Sequence, residues 1–157
     1  MAIKEFDKAI YIKSNIDYFF IKRAYAKFNL KKFKESIDDC NEAIKISPQN
    51  KFAYSKRGSN FLCLSFYDNA INDQNIALYI DKNFAQAYFI RGLAILCKDK
   101  FLLGIDNITH YYKAKKDLEK SNEIDPNYIP VVKELLNDYK FNNFIKFGKH
   151  ITTILKG

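Results

Sequence analysis

Three cysteines, two histidines and a set of arginines recurring beside aspartates are the side chains of this 157-residue chain with chemistry to offer. Cys63 and Cys97 stand 34 residues apart and Cys40 lies elsewhere in the same period, whereas a metal site or redox dithiol needs cysteines a few residues apart. His110 and His150 are far apart and accompany no nucleophile motif, so the expectation is no metal, no cofactor and no catalysis. The arginines are more informative. Arg23, Arg57 and Arg91 recur beside Asp39, Asp73 and Asp117, a spacing that predicts an ion pair between consecutive helices, within a repeat or across to its neighbour. The functional alternative is an arginine row for acidic ligands. A guanidinium that already holds a carboxylate is poorly available to a ligand.

The elements that must position these pairs follow from a period of 34. FDKAIYIKSNIDYFFIKRA from Phe6 reads again as CNEAIKISPQNKFAYSKRG from Cys40 and as QNIALYIDKNFAQAYFIRG from Gln74. Ala9, Ala43 and Ala77 share a column, as do Phe20, Tyr54 and Tyr88, then Ala24, Gly58 and Gly92. Self-similarity of this length implies stacked helical hairpins, each unable to bury its apolar face without a neighbour. Small residues belong where helices cross closely.

At these residues the chain resembles the tetratricopeptide repeat (TPR) family, with an aromatic at repeat position 4, small residues at 8, 20 and 27, an aromatic at 17 (Phe33, Tyr67) and often Pro at 32 (Pro48). The resemblance implies an all-α fold, an α-α superhelix of antiparallel hairpins. It covers nearly the whole chain and speaks to fold more than to function, since partners of such scaffolds are set by a few surface positions.

The period divides a single domain, 1–157, into a partial repeat at 3–16, repeats at 17–50, 51–84 and 85–128, and a degenerate capping repeat at 129–157. Helices are expected near 17–30, 33–46, 51–64 and 67–80. The third repeat carries ten extra residues near 99–110, because 44 residues separate Pro126 from Lys82. They read as a loop or as a longer hairpin; the hairpin is favoured because Gly104 suits a helix stop and Asp106 and Asn107 suit caps. Its tip would present Phe101, Leu102, Ile105 and Ile108. The chain starts inside a repeat, as a segment of something longer would, and an incomplete first unit could drive self-association.

The resemblance also implies which residues line the inner surface: Tyr18, Ile21, Tyr25 and Phe28, then Phe52, Ser55, Ser59 and Leu62, then Gln86, Phe89, Leu93 and Leu96. These columns contain no acid and no base. The polar clamp by which chaperone-binding TPR domains hold an acidic C-terminus has its matching positions here at Ile21, Tyr25, Lys56, Gln86 and Ile90, and none carries the clamp residue. An apolar, aromatic groove of this kind should be filled by a partner peptide, by another chain or by the C-terminal helix.

Charge completes the picture. The net charge is +8, and no acidic residue follows Asp138 while Lys140, Lys146, Lys149 and Lys156 do. A basic amphipathic end could meet nucleic acid or anionic lipid, but no arginine-rich cluster or nucleic-acid module accompanies it. Attraction of acidic proteins is the simpler use of the charge. The expected role is therefore a scaffold for an apolar protein segment with acidic flanks. The alternatives are a nucleic-acid or membrane-surface adaptor, or a structural segment of a larger repeat protein. The amino terminus MAIKEFDKAI is neither signal peptide nor membrane span, and a cytoplasmic setting is expected.

Overall fold

The computed structural model describes residues 2–98 and 108–140. Over these residues the chain is an all-α superhelix: α1 (Ala2–Ile12), α2 (Asp17–Asn29), α3 (Phe33–Ile46), α4 (Lys51–Cys63), α5 (Tyr67–Ile80), α6 (Ala85–Cys97), α7 (Ile108–Ile124) and α8 (Ile129–Lys140), with a 3-10 turn at Pro126–Tyr128. Helices α2 and α3 pair as a hairpin, as do α4 with α5 and α6 with α7, and each hairpin packs on the next.

Small residues sit at the crossings. Ala24, Ser36, Ala43, Ala53, Ala70, Ala77, Ala114 and Ser121 are fully buried. At Gly92 a Cβ would lie 2.8 Å from Leu118 Cγ and 3.1 Å from the Ala114 carbonyl oxygen, so helix α6 approaches α7 more closely than any side chain permits.

The hairpin turns are built on one local device. Helix α2 ends with Lys31 N–H donating to Phe28 O and Lys32 N–H donating to Lys27 O at 2.8 and 2.9 Å; α4 repeats this with Ser65 to Leu62 and Phe66 to Phe61 at 3.0 and 2.8 Å. Both pairs of bonds need a left-handed residue just past the helix, and Lys31 (φ 59) and Ser65 (φ 63) supply it where glycine is the usual choice. Between repeats, Asn50 Oδ1 accepts from Phe52 N–H and caps α4, while its Nδ2 donates to Asp17 at 2.7 Å and ties the second repeat to the first.

Helix α7 starts three residues before Tyr111, the position at which the second helices of the earlier repeats begin, so part of the inserted segment lengthens this helix. The rest of the insertion, including the proposed tip at Phe101, Leu102 and Ile105, lies outside the described residues, as do the continuation of the cap and the basic end from 141 onward. Among the described residues no helix is long and apolar enough to cross a membrane.

Candidate interaction groove

The arginine column is anchored the same way three times. Arg23 donates Nε and Nη2 to both oxygens of Asp39 at 2.9 and 2.6 Å, Arg57 does so to Asp73 at 2.8 Å for both, and Arg91 to Asp117 at 2.7 Å for both. These bidentate pairs join the first helix of each repeat to its second. The remaining nitrogen, Nη1, reaches back to the preceding repeat, donating to Asp7 at 2.7 Å, Asn41 at 2.8 Å and Asn75 at 2.7 Å. Each guanidinium also lies 5.4–5.6 Å from the ring of Phe20, Tyr54 or Tyr88. The ion pair within the repeat is therefore realised three times; of the three arginines only Arg23 also forms one across the interface, to Asp7, while Arg57 and Arg91 reach neutral asparagine amides there. The sequence reading missed the third partner, although Asp7, Asn41 and Asn75 also stand 34 residues apart. Burial pushes the Asp73 carboxyl up despite Arg57, and hydrogen bonding to Asp73 pushes the Arg57 guanidinium up.

With the arginines committed to this ladder, the remaining candidate surface is the one formed by the first helices. Tyr18 and Phe52 are 55% and 47% exposed. Tyr25, Phe28 and Gln86 are half-buried, and Ile21, Ser55, Ser59, Leu62, Phe89, Leu93 and Leu96 are buried. Two zones result. At the first two repeats a cleft of about 440 Å³ is lined by Asp17, Tyr18, Ile21, Lys22, Tyr25, Asn50 and Phe52. At the third repeat the apolar residues are covered: Phe89 stacks on Tyr128 with ring centroids 4.6 Å apart, and Leu93 and Leu96 belong to one packed cluster with Val132 and Leu135 of α8.

The surface is not free of charge, contrary to the reading of its columns. Asp17 and Lys22 stand on the cleft, and Lys56 packs against Tyr25, one of the cleft's lining residues. Lys56 is only 5% exposed, and its Nζ sits 3.8 Å from the Tyr25 ring centroid and 4.0 Å from that of Phe28. Neither a carboxylate nor a hydrogen-bond acceptor meets this ammonium among the described residues. Burial brings its pKa down to about 8, with the thiols of Cys40 and Cys63 nearby. Those thiols are themselves pushed up by burial, to about 12 and about 11. Burial raises Tyr25 as well. The column of Lys56 gave a mixed signal, since at the same repeat position Ile90 is apolar and buried while Lys22 is exposed. Behind the groove, Ser59 Oγ and Gln74 Nε2 both donate to the Ser55 carbonyl, at 2.9 and 3.1 Å, and Asn60 Nδ2 donates to Ser36 Oγ at 2.9 Å.

Repeated hairpins, small crossings and a groove on the first-helix face decide the architecture, and residues 19–50 match the tetratricopeptide repeat family. The fold is a TPR solenoid. The chain is similar to the first TPR domain of Spaghetti (RPAP3), solved with the HSP90 peptide SRMEEVD, at 23% identity and a TM-score of 0.68 over 80% of this chain and 94% of that one. The Arabidopsis OM64 TPR domain is 23% identical with a TM-score of 0.65, covering 78% of this chain and 95% of that one. MamA from Desulfovibrio magneticus RS-1, residues 41 to the end, is 17% identical with a TM-score of 0.69, covering 98% and 82%. No curated protein matches the chain by sequence.

Proposed function

We propose that this TPR solenoid is a non-catalytic protein-interaction scaffold, and that its first-helix groove receives an apolar segment of a partner protein. The observation that carries this reading is the open cleft with Tyr18 and Phe52 exposed on it, two aromatic rings beside buried Ile21 and half-buried Tyr25. Exposed aromatic anchors beside a preformed cleft are the usual source of binding energy at such surfaces. That a similar fold, the first TPR domain of Spaghetti (RPAP3), is solved with a peptide supports the same use. The groove has the membership given above, from Tyr18 in the first repeat to Leu96 in the third, with Tyr18, Tyr25, Phe28, Phe52 and Gln86 as its reachable part. The chain is divided into repeats at 17–50, 51–84 and 85–128 with a cap from 129, and the excess of lysine favours partners with acidic flanks. Its three free cysteines suit the reducing cytoplasm.

The test is affinity for a peptide selected on the wild-type protein, measured at low and high salt. Apolar docking predicts a small loss of affinity as salt rises. A steep loss, as phosphate contacts give, would transfer the function to the basic surface.

A further inference from the structure

We propose that Lys56 is an anion anchor at the base of the groove, and that the segment docking there carries an Asp or Glu side chain flanked by apolar residues. This rests on the reading of the groove as a docking surface. The ammonium has three donors and, among the described residues, no acceptor for any of them. Ring faces attract a cation but take no hydrogen bond in the manner of a carboxylate. The arrangement is therefore a buried charge lacking the partner that burial normally demands.

Access comes through Tyr25. Its ring lies against the Lys56 ammonium and also forms a wall of the 440 Å³ cleft, so the proposed route from the open surface to the charge requires this side chain to move. Most other cations near the cleft are held by carboxylates: Lys51 pairs with Asp81, and Arg23 and Arg57 hold Asp39 and Asp73. Lys22 lines the cleft and is exposed to solvent 5.2 Å from the Tyr18 ring, which distinguishes it from the buried Lys56. On the rim Asp17, bound by Asn50, opposes the attraction of Lys22 for an acid, so the deeper ammonium is the site without a competing carboxylate. The groups recorded around the Lys56 ammonium are the Tyr25 and Phe28 rings and the thiols of Cys40 and Cys63, none of them a second charge at neutral pH. One ammonium between apolar walls suits one carboxylate with apolar neighbours before and after it, a side chain within a segment and not a chain terminus.

The test is selection from a phage library of random peptides displayed internally, on the wild-type protein, on Lys56→Met and on Tyr18→Ala/Phe52→Ala. Wild type should enrich apolar positions together with one acidic column, and Lys56→Met should keep the apolar positions and lose the acid. In an amide-capped synthetic peptide from the wild-type selection, changing the acid to its amide should weaken binding roughly tenfold on wild type and leave Lys56→Met unaffected. Lys56→Gln repeats the comparison with a neutral polar side chain should the methionine variant fold poorly. An apolar consensus without an acid, an acid preference that survives in both Lys56 variants, or tighter binding through a free carboxyl terminus would each overturn the anchor while leaving the groove intact. No enrichment on wild type, or the same consensus on Tyr18→Ala/Phe52→Ala, would overturn the groove and the anchor together.

Discussion

Replacing Lys56 by methionine should make this protein more stable at neutral pH. A buried ammonium without an acceptor holds its pKa down to about 8 against an ordinary 10.5. At about 1.4 kcal/mol per pH unit that gap corresponds to about 3 kcal/mol of unfavourable burial. The Tyr25 and Phe28 rings offset part of it, roughly 0.5–2 kcal/mol each. A methionine in the same seat keeps much of that ring contact through its thioether, so about 2 kcal/mol of net gain remains. For a chain of this size the melting temperature should rise by roughly 4–8 °C.

The pH dependence identifies the cause. Because the folded pKa lies below the unfolded one, the unfolded chain binds the extra proton between about pH 8 and pH 10.5, and stability rises with pH across that window. Cys40 and Cys63 act in the opposite sense: their folded values of about 12 and about 11 exceed the ordinary 9.0, so thiolates form first in the unfolded chain and stability falls above about pH 9. Tyr25, also raised by burial, adds to that fall. Wild-type melting temperature should climb from about pH 8 to about pH 9 and then decline. Lys56→Met should show only the decline, and its advantage should shrink as pH rises. Thermal melts of both proteins across this range decide the matter. A methionine variant melting below wild type at neutral pH, or an advantage that stays constant as pH rises, would refute the reasoning.

The remaining predictions concern the frame. Arg57→Ala should cost about 2–3 kcal/mol in denaturant unfolding, because it strands the buried Asp73 carboxylate, while Arg57→Met combined with Asp73→Leu should recover most of that loss. Gly92→Ala should cost roughly 1–3 kcal/mol by the same measurement, since its Cβ would meet the branch carbon of Leu118 and the Ala114 carbonyl. Lys31→Gly and Ser65→Gly should each raise stability by about 0.5–1 kcal/mol in thermal melts, as both positions hold a left-handed backbone.

Much of the frame was legible because it is written in columns. The small residues at Ala24, Gly58 and Gly92 and the pairs from Arg23–Asp39 to Arg91–Asp117 recur because every hairpin solves the same packing problem. Asp7, Asn41 and Asn75 obey the same period, yet their role was hidden. An aspartate and two asparagines look unlike as a charge column, although all three accept equally well from Arg Nη1. The groove was less legible. Repeat position alone does not say that Tyr128 covers Phe89, a contact made by a residue of the turn that closes the third repeat. Nor does a lysine among 26 basic residues announce that it is buried. The column of Lys56 pointed both ways, with an apolar Ile90 in one repeat and a charged, exposed Lys22 in another.

The central claim, a docking groove centred on the first two repeats, is tested most directly by the affinity of a selected peptide for Tyr18→Ala and Phe52→Ala, read by calorimetry beside the melting temperature of each variant. The account predicts that each substitution weakens binding by about 2 kcal/mol, roughly thirtyfold. It also predicts little change in melting temperature, because both rings stand half in solvent. Normal binding by both variants, with normal melting, would contradict it.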